Sequence, residues 1–316
     1  MDSVSFHYES GSDDVLQKIR IKKCLYDGKT PFQQVSIYET RQYGKMLLLD
    51  GLIQSVESDE YRYHESLVHP AMCAHANPRN VLIIGGGEGA TAREVLKHSC
   101  VEKVVMVDID GLLIELCERY LSEWHDGAFS DTRLELIVQN GLDYVYDSTE
   151  IFDVIILDVC DGINKTSRSI EFFQKRFFTA LKRILELKGI VAYQAMSATP
   201  GDTTDLATVL HGLNKVFTYA NAYTSFIPSF AAQWGFVAAS DVSHCKLISE
   251  EVIDNVLEAR KLKERLRFFD GMTFRHMMSL PRDVRMAIED DEVKSIEDRF
   301  FSQGVHQLLE GVGCSV

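Results

Sequence analysis

From Asn80 onward, short runs of aliphatic and β-branched residues alternate with longer stretches of helical periodicity, and this alternation leaves few folds open. Strand-like runs stand at residues 81–84, 104–108, 134–138, 154–158 and 190–194, with helical patterns near 90–98, 112–122, 171–187 and 205–216. Strands separated by helices are joined by crossovers, so they build a mainly parallel sheet. Two later β patterns, 220–226 and 235–239, are separated only by residues 227–234. That connection is too short for a helical crossover and suits antiparallel pairing. The sheet is therefore expected to end with one reversed strand, the layout of Rossmann-like methyltransferase cores. A last helical pattern at 250–267, charged on most faces, feeds a tail containing Phe268-Phe269-Asp270-Gly271-Met272.

The chain ahead of this core has a different texture. Ile19-Arg20-Ile21, Gln34 to Tyr38 and Lys45 to Leu49 read as strands, and Asp50-Gly51 before Leu52 to Val56 is a strong hairpin signal. The expected class is α/β, with a small N-terminal antiparallel β domain at 1–62. A Rossmann-like methyltransferase-type catalytic domain with a C-terminal tail follows at 63–316. The charge balance excludes one class of partner: 33 Lys and Arg against 47 Asp and Glu give a net charge of −14. Nucleic-acid binding needs a basic face for the phosphates, so no nucleic-acid partner is expected, whereas a cationic ligand is compatible. The first 14 residues lack the basic start and apolar run of a signal peptide, and no stretch approaches the ~18 apolar residues of a membrane helix. Seven cysteines without a CxxC pair indicate neither a disulfide framework nor a zinc cluster. No metal and no membrane are expected, and the expected location is the cytoplasm.

The run Val81-Leu82-Ile83-Ile84 enters Gly85-Gly86-Gly87-Glu88-Gly89 and then the helical Ala90-Thr91-Ala92-Arg93-Glu94-Val95. Glycines there let backbone pass close to a ligand and open the helix with free amides. The next strand ends in Val107-Asp108, where a carboxylate can take the two ribose hydroxyls. Asn140, after strand 134–138, stands where this architecture offers a hydrogen-bonding group to an adenine edge. Together these positions point to an adenosine-containing ligand. Glu88 narrows the choice, because a carboxylate in the loop repels the α-carboxylate of S-adenosylmethionine and the pyrophosphate of NAD. Decarboxylated S-adenosylmethionine, with a bare ammonium on that arm, fits best as a co-substrate, with no permanently bound cofactor. The alternative for Glu88 is a carboxylate at a helix N-terminus, favoured by the helix dipole.

Strand 154–158 ends in Asp158-Val159-Cys160-Asp161, which puts two carboxylates on the crevice at the strand ends. An amine nucleophile must be presented unprotonated, which near neutral pH costs roughly 4 kcal/mol for a pKa of about 10.4. A carboxylate can bind the ammonium and take its proton. For Asp161 the alternative is a cap on the following helix.

The ordered set Asp59-Glu60-Tyr61-Arg62-Tyr63-His64-Glu65, Gly85-Gly86-Gly87-Glu88-Gly89, Asp108-Ile109-Asp110, Asn140-Gly141 and Asp158-Val159-Cys160-Asp161 resembles the polyamine aminopropyltransferase (spermidine synthase-like) family. The resemblance runs from about Lys18 to Ser240. It implies a homodimer or homotetramer, a polyamine substrate and methylthioadenosine as co-product. It also implies roles. Asp158 is the base, assisted by Tyr63. Gln33, Gly85, Gly87, Asp108 and Asn140 hold the nucleoside, which Gln54 also approaches, and Glu88 takes the aminopropyl ammonium. His64, Asp161 and Gln194 belong to the polyamine end.

Three departures from the spermidine synthase pattern bear on the acceptor. Asp161-Gly162 replaces an Asp-Pro step, Phe177-Phe178 replaces a Phe-Tyr pair, and Pro228-Ser229-Phe230 replaces a loop that carries a Tyr. The loop with Phe230 and Trp234, the stretch 63–70 and the tail 268–274 are more similar to thermospermine synthases, which implies spermidine as acceptor. Plain core packing is the alternative for Phe230 and Trp234. Spermidine or spermine synthesis, a methyltransferase on the same core, and a non-catalytic paralogue are the remaining readings.

Overall fold

The computed structural model describes residues 5–12, 15–159 and 169–289. The N-terminal part is a five-stranded antiparallel meander: β1 (Ser5–Ser12), β2 (Val15–Lys29), β3 (Gln34–Thr40), β4 (Lys45–Leu49) and β5 (Leu52–Val56). The Asp50-Gly51 turn joins β4 to β5 as the sequence implies, both residues having positive φ. The first hairpin, β1 with the front of β2, was not legible from the pattern.

Helix α1 (Glu60–Ala74) leads into the core, whose elements follow in order: β6 (Asn80–Gly85), α2 (Ala90–Leu96), β7 (Lys103–Asp108), α3 (Gly111–Tyr120), α4 (Ser122–His125), β8 (Leu134–Val138), α5 (Gly141–Asp147), β9 (Phe152–Asp158), α6 (Lys175–Arg183), β10 (Leu185–Ser197), α7 (Thr204–Asn214), β11 (Tyr219–Ile227), β12 (Ala232–Ser240), α8 (Glu250–Ala259), α9 (Gly271–Met277) and α10 (Arg282–Ile288). The seven-stranded sheet has the order β11-β12-β10-β9-β6-β7-β8. Strands β8, β7, β6, β9 and β10 are parallel, and β12 runs antiparallel to both β10 and β11. The single reversed strand expected from the short 227–234 connection is therefore present.

The central strands read as continuous aliphatic runs because both faces are covered. Leu82, Ile84, Val105, Val107, Ile155 and Leu157 pack under α5, α6 and α7, while Val81, Ile83, Val104, Met106, Val154 and Ile156 pack under α1, α2, α8 and α9. The N-terminal sheet is seated on α3 and α4 through Val35, Ile37, Leu47 and Leu49 against Leu113, Leu116 and Trp124. The Trp124 indole N–H, fully buried, donates to Ser55 Oγ at 2.6 Å.

Helix α1 is fixed from several directions. Glu65, fully buried, accepts backbone N–H from Arg267, Phe268 and Phe269, each at 2.8 Å. Arg260 closes the C-terminal end of the helix by donating to Met72 O, His75 O and Ala76 O. Towards α2, His69 Nε2 lies 3.0 Å from Glu94 Oε2.

Two helical expectations are corrected. The pattern at 171–187 resolves into a 3₁₀ turn (Ser169–Phe173), then α6, then the start of β10, since Leu185 pairs with Phe152 on β9 rather than continuing the helix. The pattern at 250–267 stops at Ala259, where Arg260 turns onto the α1 carbonyls and Lys261 takes φ +57°. No helix among the described residues is long and apolar enough to cross a membrane.

Candidate active site

The C-terminal ends of β6, β7 and β9 define a crevice, and glycine lets the three ends come together. Gly85 has φ +83°, a region closed to most L side chains, and a Cβ there would overlap the Asp158 carbonyl oxygen on β9. Gly86 N–H donates to that same carbonyl at 3.1 Å, so the turn and the Asp158 backbone are locked to one another. A Cβ at Gly87 would stand 2.9 Å from Asp108 Oδ2, which places the loop directly against the acid at the end of β7. Asp108 also accepts from Asp110 N–H at 2.9 Å. Burial pushes its carboxyl up to about 6, against the lowering effect of these backbone donors.

Asp158 is held at both oxygens. Tyr63 O–H donates to Oδ1 at 2.7 Å and Thr91 Oγ1 donates to Oδ2. The neighbouring His64, 2% exposed, lies between two carboxylates: Nδ1 is 2.9 Å from Glu60 Oε2 and Nε2 is 2.6 Å from Glu88 Oε1. Burial alone would lower the pKa of this ring, but Glu88 and Glu60 outweigh it and push it up to about 10. Burial raises the Glu88 carboxyl, with His64 opposing and Asp158 adding to the rise. Glu60 is in turn gripped by Arg93, whose Nη1 and Nη2 donate to its two oxygens at 3.1 and 2.8 Å.

On the side of β10 and β12, Gln194 is buried and fully engaged. Its Nε2 donates to Val159 O, and its Oε1 accepts Trp234 Nε1 at 3.1 Å and Met196 N at 3.2 Å. Phe230 packs on Trp234 with ring centroids 4.7 Å apart and meets Tyr63 edge-on at 6.2 Å. The turn that carries Phe230 is held by Asp59, which accepts Ser229 N–H at 2.7 Å and Ser229 O–H at 3.0 Å.

Comparison with known proteins covers most of the chain. Residues 60–249 match the Spermine/spermidine synthase domain. The chain belongs to the spermine/spermidine synthase family. Residues 6–57 match the spermidine synthase tetramerisation domain. Among curated relatives, polyamine aminopropyltransferase 2 of Hyperthermus butylicus is 43% identical over 270 residues, covering 85% of this chain and 88% of that protein. The polyamine aminopropyltransferase of Sulfurisphaera tokodaii is 39% identical over 272 residues, covering 86% and 89%. Crystal structures of spermidine synthase are similar throughout. That from Thermotoga maritima superposes with a TM-score of 0.81 at 30% identity, covering 90% of this chain and 94% of that one. A spermidine synthase in complex with the transition-state analogue AdoDATO gives 0.83 at the same identity and coverage. The chain is therefore a polyamine aminopropyltransferase of spermidine synthase fold.

Not every candidate named from the sequence lies in the crevice in the same way. Tyr63, His64, Gly85, Gly87, Glu88, Asp108 and Asp158 are brought together. Gln33 Nε2 donates to Asp110 Oδ2 at 3.0 Å, beside the Asp108 end of the family site. Asn140 spends its Oδ1 capping α5, at 2.9 Å from Leu142 N. Gln54 donates to its own strand at Leu52 O, 3.4 Å away. Gln194 acts on the crevice through the Val159 backbone and Trp234. Asp161 lies outside the described residues, as do Cys160 and Gly162. Thr91, Glu60 and Arg93 were missed. Thr91 sits in the glycine-loop segment and was readable as a hydroxyl in the first turn of α2, whereas the Glu60 to Arg93 pairing spans parts of the chain that no local pattern connects.

Proposed function

We propose that the protein transfers the aminopropyl group of decarboxylated S-adenosylmethionine to spermidine, giving thermospermine and methylthioadenosine. The observation that carries the reaction class is Asp158, bonded at both oxygens by Tyr63 and Thr91 and adjoining the Glu88 and Asp108 positions. Asp108 takes the ribose hydroxyls, Asn140, Gln33 and Gln54 border the nucleoside, and Glu88 receives the ammonium at the end of the aminopropyl arm. Asp158 receives the proton of the acceptor ammonium. The freed nitrogen lone pair then attacks the aminopropyl carbon beside the sulfonium as the C–S bond breaks, its electron pair returning to sulfur. The leaving thioether is neutral, so orientation and charge placement supply most of the catalysis. Tyr63 and Thr91 fix the carboxylate so that its free lone pairs face the crevice.

Support for spermidine over putrescine comes from Phe230. A longer acceptor would run past the Phe230 and Trp234 rings, and Phe230 offers no hydroxyl to a second amine of putrescine. Asp161, His64 and Gln194 belong to this end in the reading. An N-terminal β domain at 1–62, a catalytic domain at 63–316, and assembly into dimers or tetramers through the N-terminal sheet, as for the domain matched at 6–57, complete the proposal. The test is incubation with decarboxylated S-adenosylmethionine and putrescine, spermidine or spermine in turn, followed by separation of products that resolves thermospermine from spermine. Spermidine from putrescine as the main product would overturn the acceptor assignment, and no methylthioadenosine with any amine would overturn the reaction. Asp158→Asn is expected to lower turnover by at least about a hundredfold while nucleoside affinity changes little.

A further inference from the structure

The His64 ring presents both nitrogens to carboxylate oxygens: Nδ1 at 2.9 Å from Glu60 Oε2 and Nε2 at 2.6 Å from Glu88 Oε1. A neutral imidazole carries one N–H and would turn a lone pair against one of these acids if both are ionised, so two ionised carboxylates favour protonation of both nitrogens. Glu60 is suited to impose this. It is 7% exposed and held at both oxygens by Arg93, which is itself anchored on Glu94 Oε1 at 2.8 Å and Trp124 O at 2.6 Å. Glu60 is therefore held against swinging away from His64. Glu88 thus has a cation on it in His64. The ligand reading given above sends a second cation, an ammonium, to the same carboxylate.

We propose that Glu60 is a positioning residue that keeps His64 charged while it pairs with Glu88, and that His64 gives up this proton when a ligand ammonium engages Glu88. The exchange balances: ligand ammonium plus the Glu88–His64 ion pair becomes ammonium on Glu88, neutral His64 and one proton in solvent. The imidazolium keeps Glu88 ionised in a buried setting until the ligand arrives, and its departure leaves the carboxylate to the ligand. The groups acting on this pair include Glu60 and Tyr63 from α1, Arg93 from α2 through Glu60, Cys117 from α3 and Asp158 from β9, with Asp108 from β7 acting on Asp158 and Cys117. Asp108 titrates near 6, and burial, with Glu88 adding, holds the Cys117 thiol well above its ordinary range. At pH 8, where the binding is measured, Asp108 is ionised and the Cys117 thiol is protonated. A proton released at that pH that disappears in His64→Gln therefore reports on His64.

This inference rests on the assignment of Glu88 to the ligand ammonium, and calorimetry separates the two. Titrating the full-length protein with decarboxylated S-adenosylmethionine at pH 8, in buffers of different ionisation enthalpy, is expected to reveal release of at least about half a proton per site. Methylthioadenosine, which lacks both the ammonium and the sulfonium, is expected to release none. Between pH 7 and 8.5 the wild-type Kd for decarboxylated S-adenosylmethionine is expected to tighten at least about fivefold, and Glu60→Gln is expected to reduce this to less than about twofold. A purely structural role for Glu60 would shift Kd equally at every pH. His64→Gln, which keeps hydrogen-bonding ends but carries no titratable proton, supplies the same comparison if Glu60→Gln fails to fold. Binding without buffer-dependent heat, or an unchanged pH slope in these variants, overturns the proton exchange alone. Absence of binding by decarboxylated S-adenosylmethionine overturns the ligand reading with it.

Discussion

Replacing Glu65 by glutamine tests how the segment after α8 is held on α1. The wild-type carboxylate is 0% exposed; Oε1 takes Arg267 N–H, and Oε2 takes Phe268 N–H and Phe269 N–H, all at 2.8 Å. Hydrogen bonds to a charged acceptor contribute about 1.5–3 kcal/mol each, and those to a neutral acceptor about 0.5–1.5 kcal/mol. Glutamine keeps the shape but has one acceptor oxygen. With that oxygen on the Phe268 and Phe269 amides, two bonds survive, each weakened by about 1 kcal/mol, and the side-chain NH₂ faces the Arg267 N–H. The lost bond adds about 2 kcal/mol, and the lower cost of burying a neutral amide returns about 1 kcal/mol, so the expected destabilisation is about 3 kcal/mol. Urea denaturation followed by circular dichroism measures it as a drop in midpoint at unchanged slope. A loss below about 1 kcal/mol would refute the reasoning, since one of the three donors would then have to be satisfied elsewhere.

Gly85→Ala is expected to cost about 1–2 kcal/mol from the positive φ alone and, by displacing the Asp158 backbone, to lower turnover at least about a hundredfold; denaturation and initial rates check both. Asp108→Asn carries an opposed pair of effects. The folded carboxyl is pushed up to about 6 against about 3.9 in an unfolded chain, so its charge opposes folding fully above pH 6, and the penalty fades as pH falls from about 6 to about 4. The variant is therefore expected to gain stability above pH 6, to show no gain near pH 4, and to bind methylthioadenosine at least about tenfold more weakly at pH 8; thermal melts across pH and calorimetry read the two. Phe230→Tyr places a hydroxyl beside Trp234 and Tyr63 and is expected to raise kcat/KM for putrescine relative to spermidine by about tenfold. An unchanged ratio would mean that this ring does not sort acceptors.

The sheet was legible because its strands are bounded aliphatic runs that end at the chemistry-bearing residues. Reading Val81 to Ile84 into Gly85, and Val154 to Leu157 into Asp158, was enough to bring loop and acid together. Helix α1 was not legible as a helix. Its buried residues include Glu60, His64, Glu65, Ser66 and His69, and Pro70 lies inside it, so no apolar stripe stands out against a polar face. The overrun at 171–187 has the opposite cause, since Leu185 and Leu187 continue a helical pattern while pairing with β9 decides their conformation. Within the site, Gly85, Gly87, Glu88, Asp108 and Asp158, named from strand ends, were brought together, whereas Thr91 and Arg93, whose contacts depend on the rotation of α2, were missed. Thr91 reaches Asp158, and Arg93 reaches Glu60, only once α2 has been set against α1 and β9.

Tyr63, His64 and Glu65 are consecutive, yet one addresses Asp158, the next Glu88 and the third the backbone of residues 267–269. Each step along a helix turns the side chain by about 100°. Point substitutions in this triplet disturb one of the three duties at a time. Adding or deleting a single residue between Glu60 and His69 would rotate all three away from their targets together, so the length of this segment is constrained more tightly than the identity of any one residue within it.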